Sequence, residues 1–214
     1  MSDATITPNG SQEKPKTPQP KNQTSAKTRT RKQQKDYLDP AKITEVPKPT
    51  EEVAEGIEFW TLTANMVSDR RRTQNLPTLD IAKNLVHLAQ KVIAPVTKKF
   101  GPLHFEAYRS RHTEQALKAL PGFQPAQGEH TAGIAVDLRA ADGDPVALAR
   151  WIEKNIKGLE LVRVERHSPN RHGSGWVHVC VSPPWHRRKP RGLVQREYWS
   201  PTLRRWQTRS GLGE

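Results

Sequence analysis

Three short segments carry the residue types that could do chemistry: Glu106-Ala-Tyr-Arg-Ser110, His130-Thr-Ala-Gly-Ile-Ala-Val-Asp137 and Gly175-Trp-Val-His-Val179. Asp137 stands in an apolar run, Ile134-Ala-Val-Asp-Leu138, and His178 in another, Trp176-Val-His-Val179. A carboxylate in such a run is costly unless it is paired or bound to a metal. A cation between two strands would satisfy both side chains, and a short loop can fold His130 back onto them. Zinc takes His nitrogen and Asp oxygen readily, and a catalytic zinc keeps three protein ligands and one open position. Alone, His178 reads as a satisfied core histidine and Asp137 as a strand-end residue. The three together, in this order, make a more specific pattern than either alone.

The elements that must hold these residues follow from the apolar pattern. Thr78 can cap a helix from Leu79 to about Lys99, with Ile81, Leu85, Leu88, Val92 and Ile93 on one face. Pro95 lies inside this run and should kink or divide it, and Gly101-Pro102 ends it. His104–Tyr108 reads as a short strand, and His112–Leu120 as a short helix closed by Pro121-Gly122. Ile134–Leu138 reads as a buried strand. Asp144-Pro145 opens a helix carrying Leu148, Trp151, Ile152 and Ile156, closed by Gly158. Two further strands, Leu159–Glu165 and Trp176–Val181, complete the pattern; in the second, Trp176, His178 and Cys180 face one way and Val177, Val179 and Val181 the other. The expected fold is a small α+β domain over residues 57–184, a mostly antiparallel sheet with flanking helices.

On either side the composition changes. Residues 1–56 are rich in Pro, Lys, Thr, Gln and Ser, with a basic cluster at Lys27-Thr-Arg29-Thr-Arg31-Lys32. Such a segment buries too little apolar surface to offset its ordering entropy; it is expected to be a disordered arm, serving as a solvated linker or binding a polyanion. Residues 185–214 hold eight Arg/Lys against two acids, with Trp185, Trp199 and Trp206 interleaved. Aromatics among arginines suit stacking on bases or sugars with charge on phosphates. Alternatively, the tryptophans fold back over the domain.

Hydrophobic residues make up 34% of the 214, below the ~45–50% of a fully globular chain. The net charge of +13 and pI of about 10.1 favour polyanionic partners, nucleic acid or anionic wall polymers, and also serve solubility. The single cysteine, Cys180, excludes an internal disulfide and a Cys-rich zinc module. No stretch reaches the ~18–20 apolar residues of a membrane span, and the N-terminus lacks the apolar core of a secretory signal. The expected location is the cytoplasm of the producing cell or a virion, with action at the cell wall.

The order Tyr108-Arg-Ser110, His130-x-x-Gly-x-Ala-x-Asp137, Trp176-x-His178-Val resembles the M15 family of zinc peptidases, which includes D-Ala-D-Ala carboxypeptidases and phage L-alanyl-D-glutamate endolysins. Phe59-Trp-Thr-Leu, Asn75-Leu-Pro77, Ile93-Ala-Pro-Val and Phe100-Gly101 resemble it too, so the likeness spans about residues 57–184. It implies zinc on His130, Asp137 and His178, peptidoglycan peptides as substrate, and Arg109 on the substrate carboxylate or developing oxyanion, with Tyr108, Ser110 and Trp176 also lining the substrate. Two positions depart from the family. Gly128 stands where many relatives have Ser, and Gly175 where they place the acid that moves the proton. A subgroup brings that acid from the preceding strand, where Glu165 fits; Glu165 could equally pair with Arg163 or Arg166, and His167 or His172 could shuttle a proton instead. The alternative function is a degenerate peptidase fold serving as a structural or nucleic-acid-binding virion protein.

Overall fold

The strand in which Trp176, His178 and Cys180 alternate with valines lies at the centre of the sheet. A computed structural model describes residues 36–65, 75–118, 128–140, 144–166, 175–186, 191–200 and 205–212. A short pair, β1 (Glu52–Ala54) and β2 (Ile57–Glu58), precedes helix α1 (Phe59–Thr63). A six-stranded sheet follows, built from β3 (Leu103–Glu106), β4 (Ala135–Ala140), β5 (Leu159–Arg166), β6 (Gly175–Val181), β7 (Leu193–Ser200) and β8 (Arg205–Ser210). Its order is β3-β4-β6-β5-β7-β8, antiparallel throughout except for the β5–β7 pair. The fold is therefore α+β with a mixed, mostly antiparallel sheet.

Cross-strand partners share a sheet face, so the register separates two chemistries. On one face, Val136, Val179 and Val162 form one row and Leu138, Val177 and Val164 another. All six join the main core. On the opposite face a polar row crosses the whole sheet: Glu106, Asp137, His178, Arg163, Gln195 and Ser210.

The helices cover the apolar face. Helix α2 (Leu79–Leu88) continues through a π-helical turn, Ala89–Ile93, into α3 (Ala94–Phe100). The expected division thus falls just before Pro95. The wider turn bonds the Ala94 N–H to the Ala89 carbonyl, five residues back, which accommodates a ring that cannot join a regular ladder. Leu85, Leu88, Val92 and Ile93 are fully buried, with Ile81 packed beside them. Thr78 occupies the cap position without a side-chain capping bond; its carbonyl accepts from Ala82 N instead. Helix α4 (Arg111–Lys118) is short, and its expected closure at Pro121-Gly122 lies outside the described residues. Helix α5 (Pro145–Asn155) starts as expected: the Asp144 carboxylate accepts from Val146 N at 2.8 Å, and Leu148, Ala149 and Ile152 pack onto β5 and β6.

The folded unit is wider than residues 57–184. Before it, Ile43, Val53 and Ala54 enter the core, and Gln90 Nε2 on the π-helical turn donates to the Leu38 and Val53 carbonyls. After it, β7 and β8 pair with each other and β7 docks parallel on β5, with Val194 and Leu212 against the core. Trp185 folds back as the second reading of the tail expects, its Nε1 donating to Asn84 Oδ1 at 3.0 Å. Residues 1–35 lie outside the described residues. No helix among the described residues is long and apolar enough to cross a membrane.

Candidate metal centre

Adjacent strands bring the site together. Asp137 on β4 and His178 on β6 are direct cross-strand partners. His130 arrives from the turn that precedes β4. That turn closes on itself, with Ala132 N donating to Gly128 O, Gly133 N to His130 O and Ile134 N to Glu129 O. Gly128 and Gly133 have φ of +85° and +70°, which favours glycine at both. A Cβ at Gly133 would also meet the Ile81 carbonyl at 2.9 Å, so α2 packs against the turn where the side chain is missing. Asn84 fixes the same contact, donating to the Ala132 carbonyl at 2.9 Å.

His130, Asp137 and His178 each offer one ligand atom, all within 4.8 Å of one another. Oδ1 of Asp137 is the common point, 3.3 Å from His130 Nε2 and 2.8 Å from His178 Nδ1. Two ligands on a tetrahedral zinc at ~2.0–2.2 Å stand roughly 3.4 Å apart, close to the 3.3 Å separation from His130 and somewhat above the 2.8 Å separation from His178. His130 Nδ1 lies 2.6 Å from the Ala107 carbonyl. A carbonyl can only accept, which puts the proton on Nδ1 and leaves Nε2 as a lone pair facing Asp137. That Nε2 is buried without a hydrogen-bond partner. An orphaned imidazole nitrogen beside a buried carboxylate is what a cation would satisfy.

The other oxygen of Asp137 belongs to Arg109, whose Nη2 donates to Oδ2 at 2.6 Å. Arg109 Nε also donates to Glu106 Oε1 at 3.2 Å, and Asn65 Nδ2 donates to that same oxygen. Arg109 as a whole is 5% exposed. Burial opposes its charge, and the Asp137 and Glu106 carboxylates outweigh burial and hold its pKa above the ordinary value. Burial likewise opposes the Asp137 charge, but His130 and His178 hold its pKa well below the usual carboxylate range. His130 is pushed up, because Asp137 overcomes the cost of burying its ring.

The other expected site residues are distributed differently. Tyr108 is buried and its hydroxyl donates to the Leu76 carbonyl. Ser110 caps α4: its Oγ accepts from Thr113 N at 3.2 Å, and its own N–H donates to Asn75 Oδ1. Both shape the segment that presents Arg109. Trp176 is half-buried on the face of His178. Glu165 lies on that face too, opposite Trp176, and its carboxylate is held by Arg163 at 2.8 Å. Gly175 is hemmed in, since a Cβ there would meet the Glu165 carbonyl at 2.9 Å and the Pro145 ring at 3.0 Å. His167 and His172 lie outside the described residues.

One acid at the site escaped the sequence reading. Oε2 of Glu129 stands 3.7 Å from Nε2 of His178. The nearest signal was its position immediately before His130. Cys180, two residues along β6, has its thiol pushed up to about 12, first by burial and then by the Glu129 and Glu160 carboxylates. No protein-family model, curated protein or solved structure matches the chain.

Proposed function

We propose that the protein is a zinc metallopeptidase of the M15 type acting on peptide bonds of peptidoglycan, in a stem peptide or cross-link. The observation that carries this reading is the buried convergence of His130 Nε2 and His178 Nδ1 on one oxygen of Asp137. The segments that resemble the family run through the same residues in the same order. Bound there, zinc would acidify water and polarise the scissile carbonyl. The chain's own part is to hold that geometry. His130 and His178 present lone pairs, and Asp137 contributes Oδ1 while Arg109 keeps Oδ2 in place. Glu165, which shares a sheet face with His178, is the acid proposed to take the proton from water. The basic tails would tether the enzyme to an anionic wall or a particle.

The test is zinc content together with peptidoglycan digestion, on wild type and on Glu165→Ala. About one zinc per chain, with peptides released by wild type and not by the variant, supports the enzyme and its base. Absence of zinc from wild type sinks the site.

A second reading is a peptidase fold without turnover, serving as a structural or nucleic-acid-binding virion protein. It is favoured by two neighbouring facts: Gly175 has no room for a side chain, and Arg163 already engages Glu165. Zinc without peptide release, together with salt-sensitive binding to nucleic acid, would select it.

A further inference from the structure

The two imidazoles of the centre are not supported alike. His130 has one nitrogen on the Ala107 carbonyl and the other toward Asp137. His178 has Nδ1 toward Asp137, and its Nε2 is buried with no hydrogen bond. A metal-bound imidazole normally donates its remaining N–H to a carboxylate or carbonyl, which sets the tautomer and the ring angle. For His178 the acceptor at hand is Glu129, whose Oε2 is 3.7 Å from Nε2. That is just beyond hydrogen-bond length, so the bond would form on a shift of the Glu129 side chain toward the ring. The Glu129 backbone is held by the closed turn at 128–134, and its side chain is 15% exposed, so the carboxylate stays beside the ring.

We propose that Glu129 is a positioning residue for His178: it accepts the Nε2–H and fixes the tautomer whose Nδ1 faces the metal. This rests on the metal centre of the preceding reading and is independent of what the enzyme cuts. It gives Glu129 and His130, neighbours in sequence, separate duties on the two sides of one centre. His130 is a ligand, while Glu129 orients the ligand contributed by β6.

The experiment uses the full chain and zinc alone. Competition with a chromophoric chelator gives the zinc affinity of wild type, Glu129→Ala and Glu129→Gln. Removal of the acceptor should weaken binding about 10–100-fold. Gln keeps an acceptor oxygen and should recover part of that loss. In the zinc-loaded wild type, nitrogen-15 spectra of labelled histidines should show His178 protonated at Nε2 and metallated at Nδ1. Alanine and wild-type affinities within about threefold would overturn the proposal, as would His178 bound through Nε2. If Glu129→Ala does not fold, the wild-type tautomer and the glutamine variant still decide. Wild type that binds no zinc removes the centre itself; wild type that binds zinc with an indifferent Glu129 removes only this inference.

Discussion

Arg109 and Asp137 form a buried ion pair at 2.6 Å, and it is the carboxylate oxygen facing away from the two imidazoles that the guanidinium holds. This makes Arg109 a support of the candidate metal ligand Asp137 before it is anything to a substrate. Arg109→Ala should leave Asp137 and Glu106 uncompensated, at a cost of about 3–5 kcal/mol. Arg109→Lys keeps the charge and loses the fork, so it should unfold later than the alanine variant yet bind zinc more weakly than wild type. Urea unfolding and a zinc titration on both variants check this. Stability unchanged in Arg109→Ala would mean that the pair contributes little.

Zinc should stabilise the fold through His178. At a free concentration ~100-fold above Kd, binding adds about 2.7 kcal/mol. For a chain of this size that raises Tm by roughly 5–10 °C. Chelation should reverse the rise, and His178→Ala should abolish it. An equal rise in His178→Ala would place the zinc elsewhere.

Gly175 is a packing glycine as well as a missing acid. Gly175→Ala should cost about 1–3 kcal/mol, because its Cβ would press on the Glu165 carbonyl and Pro145. Gly175→Glu should destabilise at least as much and give no gain in turnover. Thermal unfolding measures the first; a faster and stable glutamate variant would contradict the second.

Mild acid should loosen the contact between His87 and Trp185, whose rings meet edge to face at 5.4 Å. Burial lowers the His87 pKa, and the charges of Lys91 and His186 lower it further. The unfolded chain therefore binds the proton more readily. His87 contributes stability above about pH 6.5 that is lost as pH falls toward its depressed folded value. Between pH 7.5 and 5.5, wild type should lose more Tm than His87→Phe, which keeps a ring at the contact. Equal losses would assign the acid sensitivity to other groups.

The parts of this molecule that were legible in the sequence are those with a periodic signature. The alternation in Trp176–Val181 put His178 and Cys180 on one face, and Asp137 in its apolar run marked β4. The β7–β8 pair was not legible as sheet, because its basic residues hide the alternation, and its parallel pairing with β5 leaves no local trace. Glu129 was missed for a related reason. Its place beside His178 depends on a turn closed by Gly128 and Gly133, and no spacing rule links it to β6. Gly175 read as an absence of chemistry, whereas the close approach of Pro145 is a matter of space.

The β7–β8 pair also changes what the strand next to β6 exposes. With β7 in place, β5 is an interior strand, and the outer strand on that side is β8, where Gln207, Thr208, Arg209 and Ser210 are polar. A protein cut back to residue 184 would instead offer the backbone of Leu161–Val164, an apolar rim with open donors and acceptors that a second molecule could extend. The arginine-bearing C-terminal strands would thus guard against self-assembly through the strand that flanks the candidate metal centre.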